Sequence, residues 1–452
     1  MRRLFALFAL SAWLLGAAAA AQPAGPPKDG PTVAYTHGRW WNGSAFVEGA
    51  RYVRGGMFVA RPARRPDRSV DLAGAYVTPP YADAHNHMAG RASDVSLRAT
   101  ASGVFYLMNP TILASAAPAL RRALQGPGKI DAVLSMGAIT APGGHPEALY
   151  VDVLRPRVYP QMSPGDFLGD AFHYVTSPAD IAPVLDRLVA QHAQFVKIML
   201  LYSEEYARRK DDPAFRGNRG MDPALVAPLV AAAHARGLRV AAHIETAADF
   251  RAIVRAGVDE AAHMPGYYGA KGPLDAYRIT PADAQAAARA HIVVVPTASL
   301  AFINNREDPA RLAVVEAMQR ANLLALKHAG VPLLIGTDQQ PGDAPDEAAY
   351  LITLGVLTPR EALNSLSDAT PRYIFPGRRI GRLSPGYEAS FLVLAGDPTR
   401  DFAASQEILR RVKQGFEIPD PPPELRPRLN NPPPPIARAR PRPTAAASPP
   451  SG

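Results

Sequence analysis

Eight short apolar segments alternate with helical or loop segments through the middle of this chain of 452 residues. They are rich in branched side chains, as strands covered by helices on both faces are. The segments span residues 75–84, 104–108, 132–139, 195–200, 238–244, 259–264, 292–298 and 331–337. Helical segments between them begin at capping residues such as Asp222 and Thr246 and end at Gly237 and Gly257. This alternation predicts an α/β fold, a (β/α)8 TIM-type barrel.

The regions flanking this alternation contain short alternating strands and turns. Neither residues 32–71 nor residues 379–398 could form a stable sheet alone, so we expect them to pair. The prediction is a small flanking β-sandwich domain built from both ends of the chain. Its expected boundaries are 22–78 and 379–415, with the barrel between them at 79–378.

The two termini have compositions of their own. Residues 1–21 combine a basic start, an apolar core and an alanine run, which predicts a signal peptide and a periplasmic or secreted protein. A membrane anchor is the alternative, but the apolar core from Leu4 to Leu15 is short for a span. Residues 416–452 are rich in Pro, Ala and Arg and are expected to be a disordered tail.

The overall composition excludes some classes of partner. Hydrophobic residues make up 47% and charged residues 20%, as in ordinary globular proteins. Part of the net charge of +9 lies in the termini and not in one patch interleaved with aromatics, so no nucleic-acid partner is expected. We expect a small-molecule substrate and no membrane contact after signal cleavage. A homo-oligomer stays open as an alternative to a monomer.

Six polar residues fall at the predicted ends of apolar strands, where barrels gather functional side chains. They are His85, His87, Lys197, His243, His263 and Asp338. In H-x-H, two imidazoles project from the same side of an extended backbone and can bind one cation such as zinc. A lysine in an apolar run is costly to bury unless its charge is compensated.

Each of these residues alone has an ordinary explanation. A single H-x-H can be a surface pair, and either His243 or His263 can be a hydrogen-bonded core histidine. Lys197 can extend out of its strand to water, and Asp338 can cap the next helix. Together, however, these explanations require several coincidences at the same end of one barrel. The set therefore indicates a metal site.

The order of H-x-H, Lys, His, His and Asp resembles the amidohydrolase superfamily, in its binuclear form with a carboxylated lysine. The segments GARYVRGGMFVA and VDLAGAYVTPPYADAHNH are similar to that family's flanking strands and first-strand motif. The resemblance runs from Gly38 to Phe402, although Ser390 replaces the usual acidic residue of the last motif. It implies two divalent metals per chain, taken as zinc. Their ligands would be His85, His87 and Asp338 for one, His243 and His263 for the other, with Lys197 bridging both.

The resemblance also implies a reaction. We expect hydrolysis of a carbon–nitrogen bond in an amide or cyclic amide, other than an ordinary peptide bond, by metal-activated hydroxide. Asp338 would move the proton from water to the leaving group. Alternatives are a lactonase or phosphotriesterase-like hydrolase on the same site, and a periplasmic binding protein without turnover.

Specificity is expected to come from loops. A long loop after the third predicted strand contains His145, which could contact substrate or cap a turn. Tyr202, Tyr267 and Tyr268 follow strands that carry predicted ligands and could line the pocket, and Tyr202 and Tyr268 are further candidates for substrate binding.

Overall fold

A computed structural model describes residues 30–87, 92–270, 272–338 and 343–422, with no side-chain detail for residues 92–94. The predicted signal peptide at 1–21 lies outside these ranges, as does the predicted tail from residue 423 onward. Within them, no helix combines the length and apolar character needed to span a membrane.

The described residues contain seventeen strands. In chain order they are β1 (Val33–Trp41), β2 (Phe46–Arg54), β3 (Met57–Val59), β4 (Arg68–Asp71), β5 (Tyr76–Thr78), β6 (Tyr81–Asp83), β7 (Val104–Ile112), β8 (Asp131–Met136), β9 (Ala138–Thr140), β10 (Phe172–Tyr174), β11 (Val196–Met199), β12 (Val240–His243), β13 (Glu260–Ala262), β14 (Val293–Val295), β15 (Phe391–Leu394), β16 (Ile408–Lys413) and β17 (Phe416–Ile418).

Thirteen α-helices lie in the same ranges. They are α1 (Ala92–Ala101), α2 (Ala117–Ala123), α3 (Arg155–Val158), α4 (Pro178–Ala190), α5 (Tyr206–Arg209), α6 (Val226–His234), α7 (Ala247–Ala256), α8 (Pro281–Arg289), α9 (Ser299–Asn305), α10 (Pro309–His328), α11 (Ala344–Thr353), α12 (Pro359–Asn364) and α13 (Thr370–Ile374). Two π-helical turns extend them, Leu149–Leu154 before α3 and Ser365–Ala369 between α12 and α13.

One mixed sheet is built from both ends of the chain. Its strand order is β17-β16-β15-β5-β1-β2-β3, and β4 also pairs with β1. Its buried aromatic side chains pack edge-on or tilted, with ring centroids 5.7 Å apart for Trp40 and Phe391 and 5.9 Å for Phe58 and Phe391. The predicted β-sandwich is therefore seen only in part, because these strands form a single sheet in the described residues.

Two parallel sheets carry the remaining strands, in the orders β10-β9-β11-β12-β13-β14 and β6-β7-β8. Residues 331–337 lie between them. The amide of Val294 donates to the carbonyl of Pro332 on one side, and the amide of Ala84 donates to that of Ile335 on the other. An α/β fold with parallel sheets is confirmed. The described strand pairing is not one closed eight-stranded barrel, so closure stays a prediction.

Two predicted strands are interrupted for local reasons. Residues 75–84 divide at Pro79 and Pro80, which cannot donate to a ladder, so β5 joins the mixed sheet and β6 the parallel one. Residues 132–139 divide at Gly137, whose φ is +82° and whose added Cβ would lie 2.8 Å from the Ala171 carbonyl carbon.

Two further boundaries differ from the prediction. The long loop after β9 contains β10, which pairs in parallel with β9 and is too short to stand out among turn residues. Strand β17 extends the mixed sheet past the predicted boundary at 415, because Gln414 and Gly415 both adopt positive φ and turn the chain back along β16. Residues 416–418 therefore belong to the sheet and not to the tail.

Buried ion pairs join the mixed sheet to the parallel sheets. Asp131 at the start of β8 contacts the guanidinium of Arg378 at 3.0 Å and Nζ of Lys413 at 2.9 Å. Its side chain is 12% exposed, and those of its partners are 6% and 5% exposed. Such a carboxylate compensates two cations that would otherwise be buried without a partner.

We therefore predict that Asp131→Ala lowers the free energy of unfolding by about 3–5 kcal/mol, since it leaves Lys413 buried and unpaired. Denaturant-induced unfolding measures this value. As a control, Asp275→Ala removes an exposed partner of Arg278 and should leave stability unchanged. Equal stability of the two variants would contradict the proposed role of the buried pairs.

Candidate active site

The predicted site residues come from the ends of neighbouring strands. His85 and His87 follow β6, His243 ends β12, and His263 follows β13. Asp338 follows residues 331–337, which lie beside β6. Because parallel strands present their carboxyl ends on one side, five of the six predicted ligands gather there.

Asp338 is the point on which three histidines converge. Its Oδ1 lies 3.0 Å from Nε2 of His87 and 3.4 Å from Nε2 of His85, and its Oδ2 lies 3.9 Å from Nε2 of His263. Ligand atoms of His85, His263 and Asp338 all lie within 4.8 Å of one another. Imidazole nitrogens and a carboxylate oxygen at this spacing fit a divalent transition metal.

The histidine rings form a continuous row. Ring centroids are 5.3 Å apart for His87 and His85, 4.6 Å for His85 and His263, and 4.7 Å for His263 and His243. The ring of His145 stacks on that of His243 at 5.0 Å, so the substrate-binding candidate from the long loop does reach the site. The predicted ligand sets placed His263 with His243, apart from His85 and Asp338. In the structure, His263 lies close to residues of both sets.

Two threonines hold imidazoles with Nε2 facing the shared space. Oγ1 of Thr297 is 2.7 Å from Nδ1 of His263, and Oγ1 of Thr111 is 2.9 Å from Nδ1 of His87. The Thr297 hydroxyl donates its one hydrogen to the Pro296 carbonyl at 2.8 Å, so it accepts from Nδ1–H of His263. The lone pair of His263 is then on Nε2, where a metal would bind.

We predict that Thr297→Val weakens metal binding by roughly 10–100-fold, because the valine cannot hold the ring orientation or tautomer of His263. Competition with a chelator of known affinity measures the change. The control is Thr353→Val in α11, which removes a hydroxyl that donates to the carbonyl of Ala349 in the same helix. Equal metal affinity of the two variants would contradict the role of Thr297.

A buried aspartate fixes the two segments that supply Asp338 and the H-x-H pair. Asp83 accepts from the amide of His85 at 3.1 Å, from Nδ2 of Asn86 at 2.8 Å, and from the amide and hydroxyl of Thr337 at 3.2 and 2.8 Å. Burial raises the pKa of Asp83 to about 6, against the effect of these hydrogen bonds. Asp338 itself has a φ of +55°, in the left-handed region that few residues other than glycine adopt.

Lys197 lies deeper than predicted. It is the second residue of β11 and pairs with Ala241, two residues before His243, because the apolar run continues beyond it. Its side chain is 1% exposed, and Nζ has no hydrogen-bond partner among the residues that the structure describes. Burial lowers the pKa of Lys197 to about 8, although the charges of Glu260 and Asp338 oppose this shift. A long side chain can still bring Nζ toward the ligand layer above it.

The buried histidines have neutral rings near pH 7. Burial, together with the charge of Lys197, lowers the pKa of both His85 and His243 to about 3. Burial opposes ionisation of Asp338, but the neighbouring histidines hold the pKa of that carboxyl well below its usual range. Neutral imidazoles and an ionised carboxylate are the forms that bind metal.

Two acidic residues at the site were missed in the sequence, whereas Tyr267 was among the predicted pocket residues. Glu245 places Oε1 3.2 Å from Nε2 of His243, Glu260 is buried beside Lys197, and the ring of Tyr267 stacks on that of His263 at 3.9 Å. Glu245 follows His243 by two residues, so strand alternation could have pointed to it. Of the predicted tyrosines, Tyr202 packs near Leu201 and Tyr268 is 46% exposed beside Tyr267.

Comparisons with known proteins agree with this geometry. A sequence model described as the Amidohydrolase family matches residues 211–418, the range that contains His243, His263 and Asp338. An imidazolonepropionase of Xanthomonas axonopodis pv. citri is 26% identical over 381 residues, which cover 77% of this chain and 86% of that protein. An ochratoxinase of Aspergillus niger is 32% identical over 105 residues, 23% of this chain and 22% of the relative.

Solved structures share the fold. The A. niger ochratoxinase superposes with a TM-score of 0.68 at 16% identity, covering 86% of this chain and 96% of that one. A molinate hydrolase gives 0.66 at 16% identity, covering 86% of this chain and 95% of that one. Residues 211–418 therefore match the Amidohydrolase family, and over most of its length the chain shares the fold of these two solved structures.

Proposed function

We propose that this protein is an exported metal-dependent enzyme that hydrolyses the carbon–nitrogen bond of a small amide or cyclic amide. The observation that carries the proposal is the convergence of His85, His87 and His263 on the carboxylate of Asp338. Export rests on the sequence of residues 1–21 alone. We also propose that the two parallel sheets and residues 331–337 belong to one barrel.

The ligand set we propose comprises His85, His87, Lys197, His243, His263 and Asp338. A divalent cation at this site, taken as zinc, would act as a Lewis acid that polarises the scissile carbonyl and makes water nucleophilic near neutral pH. Two features favour a carboxylated Lys197 and a second ion. Its amine is buried with no hydrogen-bond partner in the described part of the chain, and the lowered pKa of Lys197 increases the fraction of neutral amine that can react with CO2.

Asp338 is the proposed proton carrier. Its Oδ1 lies between His85 and His87, whereas Oδ2 lies 3.9 Å from the nearer nitrogen of His263. We assign to Oδ2 the proton released by the attacking water, which then passes to the leaving nitrogen. The stacked rings of His145 and His243, with Tyr202 and Tyr268 at the neighbouring loops, would bound the space for substrate.

A substrate screen tests this proposal against its alternatives. Purified mature protein, loaded with zinc, is assayed on matched sets of amides, cyclic amides, lactones and phosphotriesters. Turnover confined to the amide sets supports the proposal. A preference for lactones or phosphotriesters would favour the related hydrolases, and binding without turnover on every set would favour a periplasmic binding protein.

A further inference from the structure

Two loops meet beside the candidate site. Residues 141–171 follow β9 and carry His145, and residues 200–221 follow β11; we call them the His145 loop and the β11 loop. The amide of His145 donates to the carbonyl of Arg219 at 3.0 Å. A Cβ added to Gly144 would lie 2.9 Å from that carbonyl oxygen, closer than side chains allow. The two backbones therefore contact each other immediately before His145.

Arg216 of the β11 loop joins the two loops a second time, through side chains. Its Nη1 donates to Oε1 of Glu147 at 2.8 Å, and its Nε and Nη2 donate to the two carboxylate oxygens of Asp152 at 2.8 and 3.3 Å. Glu147 follows His145 by two residues, and Asp152 lies in the π-helical turn before α3. One guanidinium thus binds two carboxylates of the His145 loop. Such a bidentate network holds its members more firmly than an isolated surface pair does.

Glu147 connects Arg216 to the base of the His145 loop. Its Oε2 accepts from the amide of Gly143 and from the hydroxyl of Tyr174 in β10, both at 2.6 Å. Burial opposes ionisation of this carboxyl, but the hydrogen bonds from Tyr174 and Arg216 lower the pKa of Glu147. Its side chain is 13% exposed, so loss of Arg216 would leave a largely buried negative charge without the cation that contacts it.

The β11 loop is itself held at both ends. The amides of Tyr202 and Ser203 donate to the buried carboxylate of Asp249 at 3.0 and 2.7 Å. At the other end, the amide of Met221 donates at 2.9 Å to the carbonyl of Met199, the last residue of β11. The β11 loop can therefore hold the His145 loop in place.

The ring of His145 stacks on that of His243, with centroids 5.0 Å apart and an angle of 29° between the planes. We propose that Arg216, acting through Glu147, is a positioning residue that holds the His145 ring in this stack. The stacked rings then bound one side of the substrate space, so the substrates that fit depend on a residue of the neighbouring loop. This inference rests on the proposed function, which places the substrate beside His145.

The test is an NMR experiment that needs no turnover. Proton–carbon spectra are recorded on zinc-loaded protein whose histidine rings carry a carbon isotope label at Cε1, and His145→Gln identifies the His145 signal by its loss. The spectra of wild type, Arg216→Gln, Arg216→Lys and Arg236→Gln are compared. Arg236 contacts Asp186 at 2.8 Å beside α6, so Arg236→Gln removes a similar ion pair elsewhere on the protein.

In the wild type, the ring of His243 should shift the Cε1 proton signal of His145 away from that of a histidine exposed to water. We expect Arg216→Gln to lose most of this shift and Arg236→Gln to keep it. Arg216→Lys should restore part of it, because an ammonium keeps the charge but cannot make the bidentate contact. An unchanged His145 signal in Arg216→Gln would overturn the positioning role, as would an equal loss in Arg236→Gln.

The same variants separate this inference from the proposed function. With an amide substrate in hand, kcat/KM of Arg216→Gln should fall by roughly 10²-fold, because a group beside the reacting centre is misplaced. The expected loss of shift in a protein that hydrolyses no amide would leave the positioning role standing and reject the proposed function. Amide hydrolysis with an unchanged His145 signal in Arg216→Gln would do the reverse.

Discussion

Asp338→Asn should retain much of its metal when zinc is supplied in excess, yet lose roughly 10²–10⁴-fold in kcat on any substrate found. As a ligand, Asp338 contributes one oxygen to a site that keeps the imidazoles of His85, His87 and His263. As a proton carrier it has no replacement, because the asparagine amide cannot accept and return a proton. The measurement is metal content and kcat on the same preparation.

The control for this variant is Asp186→Asn, which changes an exposed carboxylate paired with Arg236 on the surface. It should keep both metal content and turnover. A near-normal kcat in Asp338→Asn would remove this residue from proton transfer. His145, stacked on His243 at 5.0 Å, would then be the next group to test.

Lys197→Met should lower metal content from about two ions per chain to about one, and reduce turnover to near background, because no bridging anion can then form. Methionine has a volume close to that of lysine, so the buried position in β11 stays filled and the fold should be kept. Elemental analysis gives the metal content, and thermal unfolding of the metal-free protein checks the fold.

Lys210→Met provides the matched control, since that amine is exposed and contacts Asp211 at 3.8 Å. Full metal content and full activity in Lys197→Met would reject the carboxylated bridge. It would leave Lys197 as a buried ammonium compensated by Glu260, which lies in the same layer two strands away.

The site residues at the strand ends could be predicted because they are polar side chains in or beside buried, apolar segments. His243 and His263 lie in or next to runs that are otherwise buried and apolar, and the H-x-H pair follows such a run. Packing alone does not explain polar residues at those positions. Their order along the chain resembles a known set of metal ligands, and this order led to the prediction of a metal site. The parallel α/β class followed from the same runs.

Other features of the fold and the site depend on contacts between residues distant in the sequence, which no local sequence pattern reveals. The break at Gly137 results from close approach of Ala171, more than thirty residues later in the chain. Asp249 looks like an ordinary helix cap in sequence, yet it also binds two amides of the loop after β11. Such features follow from tertiary packing, and sequence spacing alone does not determine them.

Anomalous X-ray scattering at the zinc edge, from crystals of zinc-loaded protein, shows directly whether the converging histidines and Asp338 hold a divalent metal. We expect a peak about 2.0–2.2 Å from Nε2 of His85 and His87 and from an oxygen of Asp338. A second peak is expected toward His243 and Lys197. Zinc bound only elsewhere on the protein, with no peak among these residues, would show that they do not form the metal site.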